Sequence, residues 1–151
     1  MKHDATVEWK GGGGNGRDFL SGRYSRAHEW RFDGGAVVHA SASPSIVPVP
    51  LSDPAGVDPE EALVASVSSC HMLWFLDFAR HAGVEVLSYR DEAEGTMGRN
   101  EFGRPALTRI VLRPRIAYAA DPGAEEIARL HHAAHENCFI ANSLRTEVVV
   151  E

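Results

Sequence analysis

The stretch Asp58-Pro59-Glu60-Glu61-Ala62-Leu63-Val64-Ala65-Ser66-Val67-Ser68-Ser69-Cys70-His71-Met72-Leu73-Trp74-Phe75-Leu76-Asp77 decides how the rest of the chain is read. Aspartate before a proline, with a glutamate three residues after the aspartate, is the signature of a capped helix start. The helix is expected over 58 to about 82, where Gly83 supplies the stop. Ala62 to Leu76 carries no formal charge with His71 neutral, but its 15 residues include three serines and a histidine. A membrane span needs about 20 predominantly apolar residues. The expectation is therefore a long central helix buried on most sides within a domain.

Outward from that helix, residues 1–57 read as strands and turns. Thr6 to Lys10 and His28 to Phe32 alternate in strand fashion, and Asp33-Gly34-Gly35 turns the second run into Ala36 to Ala40. Gly11 to Gly16, all glycine except Asn15, reads as a flexible loop. It lacks the Lys-Ser/Thr ending of a phosphate loop. Pro44, Pro48, Pro50 and Pro54 mark an extended segment. Beyond the helix, strands are expected over about 84–117, including 84–89, 93–97 and a long run around Thr108 to Arg113. Pro114 in that run argues for an edge or a bulge. Asp121-Pro122 repeats the cap-and-proline signal and opens a shorter helix over about 122–138, and 144–150 closes the chain as a strand. Strands, helix, strands, helix, strand is an α+β order of antiparallel sheets in a single domain over 1–151.

Composition narrows the function. With 15 basic and 21 acidic residues the chain carries a net charge of -6, the wrong sign for a surface facing nucleic-acid phosphates. The first six residues lack the apolar run of a signal peptide. Two cysteines in 151 residues do not make a disulfide-stapled scaffold, so a reducing, cytoplasmic setting is expected. No cofactor, membrane or nucleic-acid partner is expected.

Each cysteine then needs its own explanation. Cys70 lies mid-helix, and its plain reading is a small buried hydrophobe. A reactive thiol there needs a cationic neighbour, yet no Lys or Arg lies within one helical turn. Cys138 follows a run with three histidines, His131, His132 and His135, of which His131 and His135 share one helical face with it by their spacing of four and three. With His71 adjacent to Cys70, a metal site built from Cys70, His71, His131, His135 and Cys138 is one alternative. A solvated histidine-rich face is another.

Taken together, Asp58-Pro59-Glu60-Glu61-Ala62-Leu63, then Val67-Ser68-Ser69-Cys70, then His135-Glu136-Asn137-Cys138-Phe139-Ile140-Ala141-Asn142-Ser143-Leu144 resemble the OsmC/Ohr family of thiol-dependent hydroperoxide reductases. The resemblance covers nearly the whole chain. It implies an intertwined homodimer with a peroxidatic Cys70, a resolving Cys138, and Glu60 pairing with an N-terminal arginine. Arg26 is the favoured arginine and Arg23 the runner-up. A hydroperoxide substrate and an external dithiol reductant follow from the same resemblance. Phe139 replaces a proline found in many members, and His71 directly follows the first cysteine.

Geometry adds a point of its own. Glu61 is accounted for by the capping box, which leaves Glu60 free. Ten residues at about 1.5 Å each separate Glu60 from Cys70 by about 15 Å along one helix, too far to serve that thiol directly. Antiparallel central helices in a two-fold dimer would bring Glu60 of one protomer to Cys70 of the other. Leu73, Trp74, Phe75 and Phe139 are candidates for an apolar wall facing an alkyl peroxide. A protein of this shape binding a small apolar ligand without turnover is a third reading.

Overall fold

The computed structural model describes residues 1–11 and 16–151, and these group into two compact units, Met1–Ala62 and Leu63–Glu151. Most of the glycine-rich run expected to be a loop lies outside the described residues.

In the first unit, strands β1 (Ala5–Glu8), β2 (His28–Phe32) and β3 (Val37–Ala40) form an antiparallel sheet in that order. The Asp33-Gly34-Gly35 signal makes the hairpin expected of it. Gly35 takes φ 85°, a conformation glycine adopts without steric penalty, and its N–H donates to the Phe32 carbonyl at 3.0 Å. A short helix α1 (Gly16–Leu20), which the sequence pattern did not signal, precedes β2. After β3 the proline-rich segment returns so that Val57 bridges Ala40. A Cβ on Gly56 would sit 2.9 Å from the backbone of Ala40 and Ser41, so this close approach requires glycine.

Helix α2 (Pro59–His81) begins in the first unit and continues through the second. Its capping box forms reciprocally. The Asp58 carboxylate accepts the Glu61 N–H at 2.7 Å, and the Glu61 carboxylate accepts the Asp58 N–H at 3.2 Å. The expectation of burial on most sides is corrected. Within the chain α2 buries one stripe, Val67, His71, Phe75 and Ala79, at a spacing of four residues, while Leu73 is 60% exposed. The bounds of α2 follow the expected 58 to about 82, and by length and composition the helix could span a membrane, with a mean hydropathy of 1.4 over an 18-residue window. Its buried stripe packs against protein instead.

The second unit holds two sheets. Strands β4 (Val86–Asp91) and β7 (Pro114–Tyr118) pair antiparallel, and β5 (Glu94–Arg99), β6 (Pro105–Leu112) and β8 (Glu147–Val150) form a three-stranded sheet. Not all of it is antiparallel: β8 lies parallel to β6, with Ile110 opposite Val148. Sequence alternation reveals which residues share a face but not strand direction. Pro114 sits on an edge strand, as expected of it, since β7 is one of only two strands in its sheet, but it does not lie inside one long run. The chain leaves one sheet after Leu112 and enters the other at Pro114, the first residue of β7, where a missing N–H is tolerated.

Helix α3 (Ala124–Asn137) starts later than expected. Asp121 does not cap it; Gly123 holds that position, and the Asp121 carboxylate accepts the Gly123 N–H at 2.8 Å in a turn ahead of the helix. A four-residue helix α4 (Phe139–Asn142) follows and delays β8 to Glu147. One core cluster joins Phe75 and Ala79 of α2 to Leu130 and Ala134 of α3 over Tyr89 and Ile116 of the β4–β7 sheet. The other joins Val67 to Ile110 and Leu112 of β6, with Ile140 and Val148 against it. Within the second unit, α2 thus lies across both sheets.

Candidate active site

Cys70 stands half-buried on α2, lining a pocket of about 340 Å³ with Leu73, Trp74, Asp77 and Phe139. Its position three and four residues before Leu73 and Trp74 puts these side chains on one helical face. Phe139, at the start of α4, meets Trp74 edge-on with ring centroids 5.4 Å apart. Three of the four expected wall residues are therefore present. Phe75 is the correction: it is fully buried on the opposite side of α2, with the His131 ring 4.4 Å away. At about 100° per residue, Leu73 and Trp74 lie about 60° and 40° to either side of Cys70, whereas Phe75 lies about 140° round the helix from it.

Cys138 is only 1% exposed, in the junction between α3 and α4. Its sulfur accepts the Ala141 N–H at 3.4 Å and thereby caps α4, while its thiol points to the Val67 carbonyl at 4.0 Å. Burial pushes the Cys138 thiol above its ordinary value; the Ala141 N–H pulls it back, and the neighbouring Cys70 thiol pushes it up again. Both cysteines are free. The structure thus brings the two together, one facing a pocket and the other enclosed and held in the protonated form.

Arg26 and Glu60 belong to the first unit. The Arg26 guanidinium lies 3.7 Å over the Tyr24 ring and donates to the Gly22 carbonyl at 2.8 Å and to the Tyr24 carbonyl. It lines a hollow of about 460 Å³ with Trp9, Phe19, Tyr24 and His28. The bidentate Arg26–Glu60 ion pair expected from the sequence is not made within the chain. Among the described residues, neither side chain enters an ion pair, whereas Arg23 pairs with Asp18 at 3.1 Å. Among the described residues, those lining the pocket around Cys70 include no cation.

The five candidate metal ligands do not converge. His71 and His131 contact each other, but His135 lines a separate hollow with Glu136, Asn142 and Glu147. Among the described residues no group of three or more His, Cys, Asp or Glu is placed to hold a metal. Sequence reading overlooked Asp91. Its carboxylate accepts the Ser68 hydroxyl at 2.5 Å and the Arg113 N–H at 2.6 Å, tying the Cys70 helix to the point where the chain changes sheets. Nothing local in the sequence signals a contact spanning 23 residues.

A family model described as OsmC-like protein matches residues 52–151, which include both cysteines. The chain belongs to the OsmC-like family. An OsmC-like protein of unknown function from Vibrio cholerae is 50% identical and superposes with a TM-score of 0.94, covering 100% of this chain and 98% of that one. An organic hydroperoxide resistance protein from Elizabethkingia anophelis shares the fold at 17% identity, with a TM-score of 0.71 over 100% of this chain and 96% of that one. OhrB of Bacillus subtilis, also an organic hydroperoxide resistance protein, does so at 17% identity, with a TM-score of 0.65 over 100% and 97%. Comparison with curated proteins found no match. The α+β fold of this OsmC-like chain thus agrees with the solved structures.

Proposed function

We propose that the chain is a thiol peroxidase that reduces organic hydroperoxides, with Cys70 as the attacking and Cys138 as the resolving cysteine. The observation that carries this reading is the pairing of a half-exposed thiol in an apolar pocket with a second thiol that is buried beside it and protonated. The Cys70 thiolate attacks the outer peroxide oxygen, the O–O bond breaks, and the alcohol leaves with a proton. Cys70 becomes a sulfenic acid. The Cys138 sulfur then displaces hydroxide from it, an S–S bond forms, and water departs with the Cys138 proton. An external dithiol reduces the disulfide and completes the cycle. A reducing compartment, the cytoplasm, suits such a cycle.

The thiolate needs a cation that the pocket lacks. We assign that role to Arg26, delivered by the partner in a homodimer and fixed there by Glu60. The side chain is suited to it, being permanently charged and forked. Leu73, Trp74 and Phe139 form the surface for the organic group of the substrate.

Reduced protein given one equivalent of cumene hydroperoxide is expected to lose both thiols rapidly and to show a Cys70–Cys138 linkage by mass spectrometry. Retention of both thiols, or equal peroxide consumption by Cys70→Ser, would overturn the reading.

A further inference from the structure

One enclosed polar contact near the cysteines has no part in the reaction as described. His71 is 1% exposed, and its Nε2 lies 3.0 Å from Nδ1 of His131, with the two rings stacked 5.3 Å apart at 10°. The other nitrogen of His71, Nδ1, is buried with no partner. An orphaned buried N–H is rarer than an orphaned lone pair, so Nδ1 is the bare one. His71 Nε2–H therefore donates to His131 Nδ1.

His71 is on α2 directly after Cys70, and His131 is on α3 seven residues before Cys138. The two helices run antiparallel. His131 packs at the level of His71 and Phe75, and Cys138 reaches the earlier turn of α2 at Val67 and Cys70. The other contacts of this seam, Phe75 and Ala79 with Leu130 and Ala134, are apolar and supply no directional bond. Among the described residues the histidine pair is the one side-chain hydrogen bond joining α2 to α3. Being directional, it fixes how far along α2 the end of α3 comes to rest.

We propose that His71 and His131 are positioning residues for the resolving step: their hydrogen bond sets the register of α3 on α2 and so holds the Cys138 sulfur within reach of Cys70. This rests on the peroxidase reading only for the name of the step. The geometry concerns formation of the Cys70–Cys138 disulfide by any oxidant. A protein that resolves slowly leaves the sulfenic acid exposed to a second hydroperoxide, which transfers another oxygen to give the sulfinic acid and an alcohol.

The test separates the two claims. Reduced protein is equilibrated with oxidised dithiothreitol, which makes the disulfide without peroxide, and the effective concentration of the thiol pair is read from the equilibrium. His71→Phe and His131→Leu, which lose the hydrogen bond, are expected to lower it about tenfold, the scale of one hydrogen bond. His131→Asn, which returns an acceptor near Nδ1, is expected to restore it. Unfolding midpoints are recorded for each variant. An unchanged effective concentration in the variants, or no disulfide in the wild type, would overturn the proposal, as would a fall that tracks lost folding and is not rescued by His131→Asn. In parallel, cumene hydroperoxide should oxidise Cys70 at the wild-type rate in the folded variants while giving sulfinic acid at lower doses. If the dithiothreitol result stands and cumene hydroperoxide does not oxidise wild-type Cys70, the positioning role holds and the peroxidase reading falls.

Discussion

Cys138 Sγ accepts the Ala141 N–H at 3.4 Å, so the thiol proposed to resolve the Cys70 sulfenic acid is also the N-cap of α4. Serine is among the best capping residues, and alanine among the poor ones. Cys138→Ser is expected to fold normally, and Cys138→Ala to lose about 1 kcal/mol of stability in urea unfolding. After one peroxide equivalent, Cys138→Ser should hold a sulfenic acid on Cys70 that dimedone traps. Absence of the adduct, with the thiol intact, would remove Cys70 from the first step. Disulfide formation also withdraws the sulfur as acceptor, so oxidised protein should lose amide-exchange protection at Ala141.

Phe139 is 68% exposed and touches Trp74 edge-on beside Cys70. Little stability depends on so exposed a ring, but an aromatic pair contributes about 0.5–1.5 kcal/mol beyond area burial. Phe139→Ala should therefore cost no more than about 1 kcal/mol of folding stability, the scale of that pair. It should lower kcat/KM for cumene hydroperoxide about fivefold, on the scale of that contact, and affect hydrogen peroxide less. An equal loss for both substrates would assign Phe139 to folding the site and not to binding the organic group.

The assignment of Arg26 and Glu60 to a neighbouring protomer has a direct readout. Arg26→Ala and Cys70→Ser should each be inactive alone. Mixed after unfolding and refolded together, they should regain activity, because a heterodimer holds one site with both residues intact. No recovery, in a preparation shown to contain heterodimers, would place the activating cation elsewhere.

What the sequence disclosed follows the range of the interactions. The Asp58/Glu61 cap and the Asp33-Gly34-Gly35 hairpin are local, and both form as read. The two cysteines carried a pattern that sequence could hold, and the structure brings them together. The buried side of α2 was not legible, since serines and apolar residues surround the helix and only packing selects the stripe through Val67, His71, Phe75 and Ala79. For the same reason Phe75 was grouped with the pocket wall. The parallel β8 and the Ser68–Asp91 bond depend on partners far along the chain. His71 and His131 were visible as residues, but as ligand candidates; their pairing is a tertiary fact.

That pairing makes stability depend on pH. Burial, with His131 and His135 nearby, pushes His71 down to about 4, and burial lowers His131 as well against the attraction of Asp91. A histidine whose folded value lies below its unfolded value of about 6.5 binds more protons when unfolded, so stability rises with pH between the two values. It is fully present above about 6.5 and is lost as pH falls towards about 4. For His71 the loss is on the order of 3 kcal/mol across that window, at 1.36 kcal/mol per unit. Urea unfolding at pH 7 and pH 4.5 should show it. His71→Gln, which cannot titrate, should flatten the difference, with the residual slope reporting His131 and the carboxylates. A wild-type slope unchanged by His71→Gln would mean that this ring is not the group taking up the proton.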